Sequence, residues 1–464
     1  MASWQSATQV AQPADYTETQ PERGPRDPDS RQRLVLVALG LFGICVTLVG
    51  LAIIGSKGVS PIDEAVHADY AYRASHLQIP ARGSTISPAI LQEISCHRYA
   101  RGAPNIPPCG VQNPDPSKYP FRGENYNAGH PPLYYVMTGF AARTIDKVLP
   151  GAHFVSSGRL VGVVWLFAGC FLLYLCLRRL AIDWRIAFAA GASLAFVPLV
   201  FHASSTVNND AAAPLSGALA LWFYLRIAER RVPIAMAFAL TLACAATKEL
   251  NALPFLIIAL MLVAGAIYDR VNDRGDVRWK LERAAAILVA FGILHFGWQL
   301  YQSSRGLAHW VNPVAGVNTR PVHGMPFGAF LRSATSGFDW TPYYLPTDMD
   351  TSAVQAWSHV VAAALAAIPL VVLLFSDRSA RGQLGVLCLL GVMAYPFVVE
   401  LQAVVTTHAY FPAVTDRYGL SLIPLIVAAL ALLINALNRR WAFVSVVSVG
   451  GVAMFSGAVN TLLA

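Results

Sequence analysis

The stretch PIDEAVHADY, residues 61–70, sets two adjacent carboxylates, Asp63 and Glu64, about one helical turn before His67, directly after the apolar run 34–55. A carboxylate there can take a proton from an incoming hydroxyl, which is general-base work. It can equally do no more than favour the N-terminus of a helix through the dipole, with Glu64 solvated. A metal reading, with Asp63, Glu64 and His67 as hard ligands, lacks any dedicated ligand spacing, so no metal is implied. From Pro61 the segment reads as a short helix, with Glu64, His67 and Ala71 on one face.

Other polar residues gather in four more stretches. NAGHPPLYYVMTGF opens at Asn127; His130 and two prolines set an extended turn before an aromatic helix. Tyr134, Tyr135 and Phe140 are expected at headgroup level, where aromatics are favoured. HASSTVNNDAAAP brings His202, Asn208, Asn209 and Asp210 to a turn. ATKELNALP makes a tight hairpin carrying Lys248 and Glu249, and TDRYGLSLIP carries Asp416, Arg417 and Tyr418 at the mouth of a span. Cations at this depth are costly unless paired or used. A lipid phosphate suits Lys248 as a point charge and Arg417 as a fork; the alternative is pairing with the adjacent Glu249 and Asp416. In the later loop, Trp310, Trp340, Tyr343 and Tyr344, with His309 and His323, read either as a surface for stacking sugar rings or as plain interfacial anchors.

The elements that must hold these residues are membrane spans. Of 464 residues, 55% are hydrophobic and only 13% charged, against about 25% charged in a soluble domain. Apolar runs of about 20 residues, enough to cross a bilayer, recur along the chain. After the uncleaved anchor 34–55 they fall near 157–177, 185–201, 209–227, 233–247, 252–268, 283–301, 354–375, 382–401, 418–437 and 441–462. The segment 132–150 is ambiguous, and the basic residues decide it. Laid along the surface, it leaves RRLAIDWR, RIAERR, DRVNDRGDVRWKLER, SDRSAR and NRR on one side. Lys and Arg accumulate on the cytoplasmic side, so eleven spans follow, with the N-terminus inside and the C-terminus outside. The net charge of +8 has its cause in these loops and implies no nucleic-acid partner.

Residues 1–33 are expected to be a disordered cytoplasmic tail. Residues 34–464 form the transmembrane domain, with extracytoplasmic loops 56–156 and 302–353. All 11 histidines fall in the outer loops or outer halves of spans, so the chemistry is expected at that face of the plasma membrane. No glycine-rich phosphate loop is present on the inner side to hold a nucleotide. Of the seven cysteines, Cys45, Cys170, Cys176, Cys244 and Cys388 read as packing residues. Cys96 and Cys109 alone share a polar loop; facing an oxidising compartment they would pair, and otherwise they are free thiols.

Taken in order, PIDEAVHADY, HPPLYY, RLVGVVWLFAGCFLLYLCLRRL, VNNDA, TKELNALP and DRYGLSLIP resemble the GT-C-fold glycosyltransferases. These are polyprenyl-phosphate-sugar-dependent membrane enzymes, among them protein O-mannosyltransferases, lipid A aminoarabinose transferases and mycobacterial arabinofuranosyl- and mannosyltransferases. The resemblance spans nearly the whole chain after residue 33. It implies an all-α polytopic fold with surface-lying helices in the first outer loop. It also implies sugar transfer from a polyprenyl phosphate to a hydroxyl of an envelope glycan, lipid or protein, with inversion. Asp63 matches the family's catalytic base, with Glu64 holding it, binding acceptor or replacing it. Arg417 and Lys248, supported by His130 and His67, would hold the donor phosphate. Tyr134, Tyr135, Asn209, Asp210, Tyr418 and Trp340 would contact donor or acceptor. No cofactor is required beyond the lipid-linked sugar. The chain is expected to lack the soluble C-terminal carbohydrate-binding domain of some members. The rival readings are a flippase for lipid-linked saccharides, which should show inverted repeats or broken helices with polar residues near the bilayer midplane, a catalytically silent partner of the same fold, and a polymerase of lipid-linked repeat units.

Overall fold

The computed structural model of the chain describes residues 31–56, 58–99, 105–149, 151–273, 275–314, 319–322, 327–328, 380–412, 414, 416–437, 441 and 444. After Arg33 no charge or proline interrupts the backbone ladder, and the run forms α1 (Arg31–Gly55). The following loop carries α2 (Glu64–Ser75), α3 (Pro88–His97) and α4 (Leu133–Val148). Then come α5 (Phe154–Arg179), α6 (Trp184–Phe196), α7 (Pro198–Ser205), α8 (Ala213–Ala228) and α9 (Ile234–Thr247). The described chain continues through α10 (Leu253–Val271), α11 (Val277–Arg305), α12 (Ala380–Thr407) and α13 (Ile423–Ala436). A two-residue antiparallel pair joins β1 (Arg320–Pro321) to β2 (Ala409–Tyr410).

Among the described residues, seven helical segments are long and apolar enough to cross a bilayer, or eight if α6 and α7 form one bent span. The 14-residue α9 is a shorter apolar helix. These elements occupy the expected spans from 34–55 through 283–301, together with 382–401 and 418–437. The chain is a multi-pass, all-α membrane protein. The expected span 354–375, nearly all of 441–462, residues 1–30 of the expected tail 1–33 and most of loop 302–353, Trp340 included, lie outside the described residues, while Arg31, Gln32 and Arg33 belong to α1 and not to a disordered tail.

Two details differ from expectation. The run 185–201 is not one straight span: α6 and α7 meet at 67°, with the break ahead of Pro198, which has no N–H to continue the ladder. The first loop helix starts at Glu64 and not at Pro61, because Asp63 adopts a left-handed backbone, φ 59° and ψ −5°. Asparagine and aspartate tolerate that region better than most residues.

α5 is the hub of the fold, packing on α1, α4, α6, α7 and α8. Close approach is bought with glycine: a Cβ on Gly162 would lie 1.9 Å from the Ser204 carbonyl of α7, and one on Gly139 of α4 would lie 2.1 Å from the Ala71 carbonyl of α2. One hydrophobic core fills the bundle around Leu173, Tyr174, Phe223 and Phe255. A second, around Tyr70, Ile90, Tyr134, Tyr135 and Trp165, binds the loop helices onto α5. The first amides of α5 would otherwise lack partners; the Glu93 carboxylate of α3 accepts from Phe154 N at 2.9 Å and Val155 N at 3.1 Å. The five cysteines expected as packing residues are all buried, and Cys96 and Cys109 form a disulfide.

Candidate active site

Asp63 sits immediately before α2, yet its side chain makes no cap to that helix. The dipole account of its position therefore has no hydrogen bond behind it. The carboxylate turns away instead: Oδ2 accepts from Arg417 Nη1 at 2.7 Å and Oδ1 from the Tyr126 hydroxyl at 2.9 Å. Both ion-pair partners keep about a fifth of their side chains exposed, 20% for Asp63 and 22% for Arg417. Burial favours the neutral carboxyl, but the Arg417 and His67 charges and the two hydrogen bonds outweigh it and draw Asp63 down to about 2.

Glu64 points the other way. Its fully buried carboxylate accepts from Arg159 Nε at 2.7 Å and Nη2 at 2.6 Å, from Ser60 N at 2.6 Å and from Val207 N at 3.0 Å. Arg159 also reaches Ser56 Oγ and the Gly58 carbonyl, each at 2.8 Å. This pair knots the end of α1, the start of α2, α5 and the turn after α7. Glu64 touches neither Asp63 nor solvent, so the expectation that it is solvated, holds Asp63 or binds acceptor does not fit its contacts.

Lys248 chooses a partner other than its sequence neighbour. Lys248 Nζ pairs with Asp210 Oδ1, both side chains buried, and not with Glu249, which bonds His295 Nδ1 at 2.9 Å. Arg417 takes Asp63, 354 positions away in the chain. Lys248 and Arg417 flank one ring: Nζ and Cζ lie 5.2 and 5.5 Å from the centroid of Tyr418. Such placement adds a cation–π attraction to each.

A layer of rings backs this group. His67 Nδ1 lies 2.8 Å from the Tyr135 hydroxyl, and its Nε2 lies 3.1 Å from Asn127 Nδ2. A neutral ring with its proton on Nδ1 satisfies both bonds. The rings of His67 and His130 stack at 6.0 Å, those of Tyr70 and Tyr135 at 3.8 Å, and the Tyr70 hydroxyl donates to the His130 carbonyl at 3.0 Å. Burial leads in pushing His67 down to about 4 and His130 to about 3. Tyr134 and Tyr135 are therefore core residues and not headgroup aromatics: both are buried, and the Tyr134 hydroxyl accepts from Asn208 N at 3.1 Å. Asn209 is buried beside them in the turn that opens α8.

A small recess adjoins the group, walled by Ile62, Leu199, His202, Asn208, Asp210 and Arg417. Five separate stretches of sequence thus converge on one end of the bundle. They bring together Asp63, His67, His130, Asp210, Lys248, Arg417 and Tyr418. The arrangement can hold an anionic group between two cations and set a carboxylate at its edge. Among the described residues no three His, Cys, Asp or Glu side chains cluster as metal ligands.

Sequence reasoning passed over Arg159, Tyr126 and Asn127. Arg159 had a signal, a lone cation in the first turn of an apolar span, which needs a partner. Tyr126 had none. Its role appears only when the loop folds back over α2.

The fold and this site define a polytopic helical membrane protein with an ionic constellation at one end of its bundle. Its overall fold is similar to the crystal structure of ArnT from Cupriavidus metallidurans bound to undecaprenyl phosphate, with a TM-score of 0.47 and 14% identity. The similarity covers 91% of this chain and 62% of that one, so the chain spans about three fifths of that structure's length. No family model and no curated protein matches the chain.

Proposed function

We propose that the chain is a GT-C-type glycosyltransferase that moves a sugar from a polyprenyl phosphate to a hydroxyl of an envelope acceptor at the extracytoplasmic face. The observation that carries this reading is the convergence of one carboxylate, Asp63, and two cations, Arg417 and Lys248, beside a recess at the end of a membrane bundle. A lipid tail would hold the donor's phosphate and sugar at the membrane surface, within reach of such a group of residues.

In this mechanism Asp63 takes the proton from the acceptor hydroxyl as its oxygen attacks the anomeric carbon. The bond from that carbon to the phosphate oxygen breaks, and the electron pair leaves with the phosphate. Charge grows on the departing phosphate, and fixed cations aimed at it lower the barrier. Arg417 and Lys248 serve that purpose, Arg417 through its fork. The stacked His67 and His130 position the wall behind them, and Tyr126 orients the Asp63 carboxylate. The sugar and the acceptor are left open by these contacts.

The test is sugar transfer by purified protein from a panel of polyprenyl-phosphate sugars to an envelope extract, wild type beside Asp63→Asn. Transfer from one donor, falling by at least about a hundredfold in the variant, is the expected result. Undiminished transfer in Asp63→Asn sinks the base assignment. No transfer from any donor, with lipid-linked sugar instead crossing a vesicle bilayer, replaces the enzyme by a flippase.

A further inference from the structure

The site just described has a feature that sugar transfer alone does not require: its base and its phosphate-binding cation are bonded to each other. Arg417 Nη1 holds Asp63 Oδ2 at 2.7 Å, and Tyr126 holds the other oxygen. In that state the carboxylate is a poor proton acceptor, since Arg417 and the hydrogen bonds stabilise its charged form. The second cation is engaged in the same way, Lys248 on Asp210. Each cation is held by a carboxylate, so an arriving phosphate competes with that carboxylate for it.

The two pairs are not equivalent. The side chains of Lys248 and Asp210 keep 6% and 3% exposure, whereas those of Arg417 and Asp63 keep 22% and 20%. The pair that water already reaches costs less to open, because its charges lose less on exchange and find solvent as they part. Arg417 is also the cation that lines the recess. Tyr126 holds the other Asp63 oxygen, so a carboxylate released by Arg417 would keep a hydrogen-bond partner.

We propose that Arg417 couples donor binding to base activation: a lipid-linked phosphate entering the recess exchanges places with Asp63 on the Arg417 guanidinium, which frees the Asp63 carboxylate to accept a proton. This rests on the glycosyltransferase reading and adds an order to it. The donor binds first and unlocks the base, and acceptor deprotonation waits for it. Before the donor arrives Asp63 is held as an ion pair, which keeps the site from activating water or acceptor idly. When the lipid phosphate leaves, the Asp63–Arg417 pair re-forms.

Competition between two anions for one cation has a signature that simple damage to a site does not share. Removing the internal competitor should tighten binding of the external one. The test measures binding of undecaprenyl phosphate, and separately inorganic phosphate, to purified full-length protein in nanodiscs. The variants are Asp63→Asn, Arg417→Gln and the double substitution. Undecaprenyl phosphate is expected to bind Asp63→Asn about tenfold tighter than wild type and Arg417→Gln about tenfold weaker, the value of one charge-assisted bond. In the double variant the gain from Asp63→Asn should vanish, which is the coupling a double-mutant cycle reads. Inorganic phosphate should show the same signs at weaker affinity if the headgroup alone drives exchange, and no binding if the lipid tail is needed; tightening seen with undecaprenyl phosphate supports the exchange in either case.

Unchanged or weaker binding of undecaprenyl phosphate to a folded Asp63→Asn overturns the exchange. Should that variant not remain monodisperse, Tyr126→Phe carries the test. Removing the hydroxyl that steadies the freed carboxylate should weaken undecaprenyl phosphate binding about threefold, and no change overturns the proposal. The exchange and the base assignment fail separately. Tighter binding with transfer intact in Asp63→Asn retains the exchange and removes Asp63 as base, whereas no binding to any variant overturns both the exchange and the proposed donor.

Discussion

Asp63 and Glu64 are neighbours in sequence with opposite fates. The left-handed backbone of Asp63 turns one carboxylate toward Tyr126 and Arg417, while the next enters the protein and meets Arg159. The histidines behind them give the residue scale a pH signature. Buried and flanked by Lys248 and Arg417, the folded rings of His67 and His130 resist protonation down to about 4 and about 3, despite partial help from Asp63 and Asp210. Unfolded rings take the proton near 6.5. The unfolded state therefore binds more protons below that value. Their contribution to stability is full above pH 6.5 and is lost as pH falls toward 4 and then 3, at up to about 1.4 kcal/mol per pH unit for each ring. Asp63 adds a further loss only between its ordinary value of 3.8 and about 2. The thermal unfolding midpoint in detergent should decline from pH 6.5 to 4, and His67→Gln should flatten that slope. A midpoint indifferent to pH across that window would mean the rings are solvated in the folded protein. The residue types at this site were legible in the sequence, but not their pairing. Sequence adjacency offered Glu249 as a partner for Lys248, whereas folding paired Lys248 with Asp210 and joined Arg417 to Asp63, residues brought near by helix packing.

At the scale of elements, the site depends on how closely α5 and its neighbours approach. The loop helices and the turn after α7 are set against α5, so a shift of α7 relative to α5 moves the wall formed by His202 and Asn208. Gly162 faces the Ser204 carbonyl with no room for a methyl group. Gly162→Ala should cost about 3 kcal/mol or more, because the obstacle is backbone that cannot rotate aside. The control is Gly292→Ala in α11, where an added Cβ meets nothing within 4 Å. That change should be neutral or stabilising by up to about 1 kcal/mol through helix propensity. Comparable unfolding midpoints for the two variants would show that the α5–α7 contact is looser than described. Spans were readable here from apolar length alone, and α4 from its crowded charges. The bend between α6 and α7 was not, since a proline in an apolar run is compatible with a straight span, a kink or a break until neighbouring helices choose.

At the scale of the whole molecule, the unequal ends of the bundle matter most. The end that carries loop 56–156 holds the disulfide, the histidines near the site and the site's own ion pairs, and the opposite loops carry most of the arginine. If arginine marks the cytoplasm, single cysteines introduced at exposed Lys118 and Asp273 should behave oppositely. A membrane-impermeant maleimide should label Lys118→Cys in intact cells and Asp273→Cys only after permeabilisation. The five native cysteines outside the disulfide are buried, which keeps the background low. The reverse pattern would turn the site toward the cytoplasm and remove the reason to expect a lipid-linked donor.

By itself the sequence determined what depends on composition and local order. Apolar length sets the spans, since an unsatisfied backbone cannot enter lipid. Basic loops set their expected direction, and a short polar segment with two cysteines sets the expected disulfide. It also supplied the residue types of the site, because a carboxylate, a lysine or an arginine at a membrane surface needs a reason. The tertiary structure alone decided which of these meet. Ion pairs form by distance in space, and the packing of α2 and α4 with the turns before α8, after α9 and before α13 brings residues 63, 126, 210, 248 and 417 to one end of the bundle. It also decided that Glu64 is a buried anchor and Asp63 an accessible carboxylate. A single left-handed residue and the packing of α5 separate them, and neither is written in the spacing of PIDEAVHADY.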